Sequence, residues 1–455
     1  MDMTQGSIVE NLVFFSIPLL IGNLLQQLYN MCDTWVIGKY GEDAAFAAVG
    51  NVGPITNIMV GLFLGFSTGA GVIISQYYGK GDTENVQKTV HTAVTLTIWL
   101  SVIMTAIGVL GTPLILKSML HVDPADPETM VVYNYAKPYL TIYFAGIASL
   151  LFYNIGAGIL RAIGDSVWPF IFLVISTVTN IALDLLFVAV FRWGVYGVAF
   201  ATILAEFASA VAAMWRLMAV KNCVRLDLRK LKIDWKILQK ITVVGLPAGL
   251  QTALTAFSNV FVQSYISGTN GVQEINMGAW TAYSKVDQLI FLPLQTLALS
   301  ATTFVGQNLG VGNVKRARKG TFVAFYMAVI CTAASLLPIE IFAPAIARFF
   351  KSNPEIVTRA ALLLRCLSPF YFCSCVNQLF TGAMRGAGNS VAPMFIMLGN
   401  FVGMRQIYLF LMKKYVTNEL LPIGWSYPFG WICCCITVVI YYKFFFSYTK
   451  NKLVE

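Results

Sequence analysis

Acidic side chains able to carry an ion stand here in apolar company. Asp33 ends a stretch, SIPLLIGNLLQQLYNMC, with no charged residue between Glu10 and itself. Asn23, Gln26, Asn30 and Asp33 follow one another at intervals of three, four and three residues, which puts them on one face of a helix. In TNIALDLLF, Asn180 and Asp184 are four apart and share a face in the same way. An ionised acid at membrane depth is costly, so it usually faces protein or water and is a functional candidate by default. Either acid could take up a proton from an acidic outer side. With the Asn180 amide the two also offer the oxygen ligands that hard cations prefer, sodium among them. Glu206, in ATILAEFASA, has a plainer reading, because a polar side chain can simply satisfy a neighbouring helix. Lys285 and Asp287, in YSKVDQLIF, are two apart and cannot pair along one helical face, so each is expected to reach a different partner.

All of this presumes a membrane, and composition supplies it. Of 455 residues, 57% are hydrophobic and 11% charged, far from the quarter-charged composition of soluble domains. Apolar stretches long enough to span, roughly 20 residues each, recur near 11–38, 46–74, 89–117, 132–158, 167–191, 195–217, 237–266, 276–304, 319–347, 357–383, 391–414 and 423–447. Pro and Gly within them are tolerated in membrane helices, where neighbours re-satisfy the freed backbone groups. The net charge of +10 is concentrated in even-numbered connections (Lys80, Lys88, Arg161, Lys315, Arg316, Arg318, Lys319, Arg385) and along 216–240. The positive-inside rule then predicts cytoplasmic termini and a cytoplasmic 216–240 connection, a topogenic linker and not a nucleic-acid patch. The odd connection KSMLHVDPADPET is richer in acid. No basic stretch or obvious cleavage site precedes the first span, so that span is expected to stay in the mature protein.

Little points to an enzyme. Cys373 and Cys375, and Cys433, Cys434 and Cys435, fall inside spans without zinc-site spacing, and read as small apolar filler. His91 and His121 stand alone. No Walker A loop is found, nor a paired-aspartate motif for magnesium pyrophosphate, so no cofactor or resident metal is expected.

The chain also repeats itself. GVIISQYYGKGDTENVQK at 71–88 matches TTFVGQNLGVGNVKRARK at 302–319, so Gln76, Gly79, Gly81 and Lys88 align with Gln307, Gly310, Gly312 and Lys319. LRAIGDSVWP at 160–169 matches MRGAGNSVAP at 384–393, aligning Arg161, Gly164, Ser166 and Pro169 with Arg385, Gly388, Ser390 and Pro393. Six spans separate the copies, so the two halves share one orientation. This predicts an all-α integral membrane protein of twelve transmembrane helices in two pseudo-symmetric six-helix lobes, a parallel repeat around a central cleft. The expected division is 1–217, a basic cytoplasmic linker at 218–240, and 241–455. Arg161 and Arg385 read as lobe architecture.

These motifs, QQLYNMCDTWVIG, GVIISQYYGKGD, GILRAIGDSVWPF, TNIALDLLF, FVGQNLGVGN and MRGAGNSVAP, span essentially the whole chain and resemble those of the multidrug and toxic compound extrusion (MATE) family. The resemblance implies an antiporter, monomeric in the plasma or inner membrane, that expels small organic cations or drugs in exchange for protons or sodium ions through a cleft between lobes. In the branch whose coupling site lies in the first lobe, Asp33 is similar to the helix 1 aspartate and Asn180 and Asp184 to the helix 5 pair, with Asn154 as a neighbour. Members that use acids in helices 7 and 10 are not matched, since Thr255 and Ser374 stand there. Aligning the lobes through Pro18 and Pro247 sets Gly22, Gln26, Asn30 and Asp33 over Gln251, Thr255, Asn259 and Val262; the offset of the second repeat sets Asn180 and Asp184 over Met404 and Tyr408. By that alignment only the first lobe has the acids. Tyr29 and Tyr283, with other aromatic residues, could line a drug site, although most such residues pack or face lipid. A flippase for a lipid-linked or other amphiphilic substrate is the alternative, disfavoured by an apparent shortage of central Arg and Lys.

Overall fold

The computed structural model describes residues 1–40, 43–119, 127–351, 353–449 and 453; His121 lies outside them. Among the described residues the regular structure is entirely helical. In chain order the helices are α1 (Ile8–Tyr40), α2 (Asp43–Lys80), α3 (Thr83–Met119), α4 (Pro127–Ala145 and Ile147–Ala162), α5 (Val167–Asp184, continued by Leu185–Val190) and α6 (Gly194–Ala219). The second set is α7 (Trp235–Ser267), α8 (Gln273–Gly310), α9 (Val314–Phe350), α10 (Pro354–Leu367, Ser368–Phe370 and Tyr371–Gly386), α11 (Val391–Leu398, Gly399–Met404, Arg405–Leu411 and Met412–Val416) and α12 (Leu420–Gly424 and Ser426–Phe444). Among the described residues eleven are long and apolar enough to cross a membrane, and the two pieces of α4, bent by 46°, bring the count to twelve where they are taken as one broken span. The continuous helix expected over 132–158 is thus broken at Gly146 (φ −95°, ψ 2°), where a Cβ would come within 2.4 Å of the Ile203 side chain. A sharp kink at a glycine under close packing is an ordinary cause.

Glycine also decides how closely α2 approaches the second half. A Cβ on Gly65 would lie 2.2 Å from the Gly249 nitrogen, and one on Gly69 would lie 2.5 Å from the Ile241 carbonyl oxygen. Small residues at four-residue spacing let two backbones meet, the usual device of helix pairs in lipid. Further along, Gly79 and Gly310 press against the carbonyl oxygens of Gln307 and Gln76 at 2.0 and 2.2 Å from where a Cβ would sit. These are the glycines of the first repeat, and their glutamines cross between halves. Gln76 Nε2 donates to the Gly386 carbonyl (3.0 Å) and Gln307 Nε2 to the Ala162 carbonyl (2.9 Å). The chain ends complete both groups: Met3 N donates to Gln307 Oε1 (3.0 Å) and Leu453 N to Gln76 Oε1 (3.2 Å). The halves therefore meet firmly at the end of the molecule that carries both termini. The repeat shows in the backbone as well, since Gly81 (φ 78°) matches Gly312 (φ 83°) and Gly164 (φ 82°) matches Gly388 (φ 99°), a left-handed conformation that favours glycine.

The connection before α7 is packed down. Val224 and Leu226 are buried, Asp234 caps α7 by accepting from Lys236 N and Ile237 N, and His91 of α3 accepts from Asp227 N through Nε2 (3.1 Å).

Candidate functional site

Two polar regions of opposite sign lie within the helices. The first is built by α1 and α5. Asp184 is 0% exposed and Asn180 1%, one turn apart on α5, and both face Asp33 on α1 within electrostatic reach. Neither oxygen of Asp184, neither amide atom of Asn180, nor Oδ1 of Asp33 is aligned with a hydrogen-bond partner. A buried polar atom left unpartnered costs about 1–3 kcal/mol, more when charged, so a cluster of this kind calls for an explanation. Tyr139 on α4 lies within electrostatic reach of both acids. Tyr29 and Tyr143 extend the region to Glu206 on α6, whose Oε2 is also buried and unpartnered. Gln26 reaches Tyr29, while Asn30 is exposed. Asn154 is held elsewhere: its Nδ2 donates to the Leu150 carbonyl (2.8 Å), and it faces a small cavity beside Ser67.

The second region is a central cavity of about 520 Å³. Gln251, Thr255 and Asn259 line it from α7, the second-half stripe expected from the sequence. From the first half come Gln27 and Thr68, whereas Gln26, on the polar face of α1, reaches Tyr29 instead. Ser374 also lines it. Asp287 enters from α8, where its Oδ1 accepts from the hydroxyls of Tyr371 and Tyr283, the latter at 3.5 Å. Tyr283 is itself buried beneath the cavity wall, and Lys285 is exposed, as their spacing from Asp287 requires.

The largest departure from the sequence reading is Arg405. It is 2% exposed, lines the cavity, donates to Asn259 Oδ1 (2.9 Å) and lies over the ring of Tyr427 at 4.3 Å. Its Nε has no partner. Met404, the residue set opposite Asn180 by a fixed offset, is 39% exposed, and Tyr408 donates to the Pro422 carbonyl (2.9 Å). The reason is the π-helical turn Gly399–Met404, which admits an additional residue per turn and puts everything beyond it out of step with an ungapped alignment. Arg405 takes the inward place. The apparent shortage of central bases is likewise corrected, because Arg385 lines the same cavity with its Nε unpartnered. Arg161 instead lines a separate space of about 190 Å³ with Ser75 and Gly158. A lone base in GNFVGMRQIYLF was the available signal for Arg405, by the same cost that marks an acid at membrane depth. Tyr139 and Tyr143 carried none.

The sequence profile described as MatE matches residues 18–186 and 247–409. Over 445 residues the chain is 27% identical to the Probable multidrug resistance protein YpnP of Bacillus subtilis, covering 97% of this chain and 96% of that one. To YoeA of the same organism, also a probable multidrug resistance protein, it is 26% identical, covering 97% and 95%. Among solved structures, a MOP superfamily transporter from Pyrococcus furiosus superposes with a TM-score of 0.90 at 24% identity, covering 97% and 96% of the two chains. With the family profile matched in both halves and the fold shared along the whole length, the chain belongs to the MATE family and is a multi-pass membrane transporter, not an enzyme.

Proposed function

We propose that the protein is a secondary antiporter that exports drug-like organic compounds, cationic ones among them, in exchange for protons or sodium ions. The carrying observation is the cluster of Asp184 and Asn180, both buried, with half-buried Asp33, whose buried polar atoms lack an aligned hydrogen-bond partner: two acids and an amide able to hold either ion. Multidrug resistance in the names of relatives supports the substrate class. Alternating access follows if 1–217 and 241–455 rock as lobes about the 218–240 linker. Ion binding favours one arrangement and cargo the other, because a ligand shifts an equilibrium only by its differential affinity. The contacts of Gln76 and Gln307 close the end bearing the termini, which opens the cleft outward if those termini are cytoplasmic. Export of a fluorescent drug from liposomes under imposed proton and sodium gradients, in turn, tests the reading. Transport indifferent to both gradients would overturn it.

A second reading, a flippase for an amphiphilic lipid-linked substrate, gains support from Arg405 and Arg385 in the cavity. Loss of dye efflux with unimpaired cell-wall synthesis upon deletion of the gene would discard it.

A further inference from the structure

We propose that the central cavity recognises the oxyanion, carboxylate or phosphate, of an amphipathic cargo, and that Arg405 is its anchor. This rests on the transport reading and adds oxyanion-bearing compounds to its drug-like cargo.

Two guanidinium groups, Arg385 and Arg405, and one carboxylate, Asp287, line the cavity. Asp287 is already answered by two tyrosine hydroxyls on one oxygen, and although Arg405 feels its charge, the two are not in contact. Among the described residues, the ion pairs within 4.0 Å are Lys88–Glu84 and Arg359–Glu355, both one helical turn apart on exposed faces. Arg405 thus spends one nitrogen on a neutral amide, Asn259, and keeps Nε unpartnered while almost wholly removed from water. A buried charge with no opposite charge in contact is expensive, and such a residue at membrane depth is a functional candidate by default.

The shape of the group narrows what that is. A guanidinium is a planar fork of donors that fits a carboxylate or phosphate in two parallel hydrogen bonds, unlike a point charge. Tyr427 and Phe401 lie against the Arg405 guanidinium, with its carbon 4.3 and 5.2 Å from their ring centres, so its plane is fixed in advance. Gly430 leaves room beside it, since a Cβ there would stand only 3.4 Å from Nε. Phe291, Phe401, Tyr427 and Trp431 supply apolar walls, and about 520 Å³ falls within the roughly 300–1,000 Å³ of ordinary small-molecule pockets. An aromatic or otherwise apolar body with one oxyanion satisfies both parts.

The test is equilibrium binding to the purified full-length protein in detergent, with no ion gradient, so its failure is separate from a failure of the antiport reading. The probes are dansylglycine, its neutral amide, and a dansyl trimethylammonium analogue. Wild type is expected to bind the carboxylate at least about tenfold more tightly than the amide, the factor a charge-assisted hydrogen bond supplies. Arg405→Gln is expected to bring the carboxylate down to the amide while leaving the amide's affinity unchanged, which also reports an intact cavity. Arg405→Lys keeps the charge without the fork and retains part of the preference. Competition by short-chain phosphatidic acid but not by benzoate assigns the oxyanion to a lipid headgroup; the reverse assigns it to a soluble carboxylate. Equal binding of all three probes by wild type, or a carboxylate preference that survives Arg405→Gln, would overturn the proposal, and the wild-type comparison does so without any variant.

Discussion

At the scale of single residues, the unpartnered polar atoms on α1 and α5 carry the sharpest expectation. Asp33→Asn keeps size and most hydrogen bonding while mimicking a permanently protonated acid. The variant is expected to fold and to bind drug within a few fold of wild type, while gradient-driven export falls to the level of protein-free liposomes. Asp184→Asn is expected to behave alike, and the double variant to be little worse than either, as for groups acting as a unit. An Asp33→Asn protein that pumps at the normal rate with its usual ion dependence would make the acid structural. Asp33, Asn180 and Asp184 were legible because a charge or amide in an apolar run is conspicuous. Asn154 was not carried into the cluster, since its amide is spent on its own helix.

At the scale of helices, α2 is the element on which the halves meet, and two changes there have opposite characters. Gly65→Ala places a methyl 2.2 Å from a backbone nitrogen of α7, where neither main chain can yield. Overpacking of this kind costs roughly 1–3 kcal/mol or more, so a clear drop in thermal stability is expected; an unchanged melting temperature would show that α2 and α7 separate readily. Gln307→Leu removes one side chain that answers both the Ala162 carbonyl and Met3 N. A lost buried hydrogen bond is worth about 1 kcal/mol, roughly fivefold in an open population. In a cysteine-free background, Met3→Cys is buried and expected to resist thiol reagents, then to label several-fold faster once Gln307→Leu is added. Equal labelling rates would mean that the glutamine does not hold that end closed. Helix number and rough limits were readable from hydropathy, whereas the break at Gly146 and the π turn in α11 were not. Neither leaves a mark in a hydropathy profile: one depends on the Ile203 side chain from α6, the other on a register set by neighbouring helices.

At the scale of the whole molecule, the distribution of Lys and Arg predicts that both termini and the 218–240 linker face the cytoplasm. Single cysteines introduced between 221 and 232 are then expected to escape an impermeant reagent in intact cells and to label after permeabilisation. Labelling from outside would reverse the topology and, with it, the side to which the central cavity opens.

Membrane residence, a run of eleven to twelve candidate spans, the doubled order of motifs and the three polar residues of the first half all followed from the sequence alone, because each is a local or periodic property of residue type. What tertiary structure decided is which residues share a space. Gln76 and Gln307 looked like a repeated loop motif until each was seen to bond the other half's backbone. Arg405 stood one position beside the residue a fixed offset selects, and only the π-helical register turned it inward to Asn259 and Tyr427. The opposite polarity of the two halves, acids between α1 and α5 and guanidinium groups in the central cavity, is therefore a property of packing: it depends on side chains that lie far apart in sequence and meet only when the helices pair.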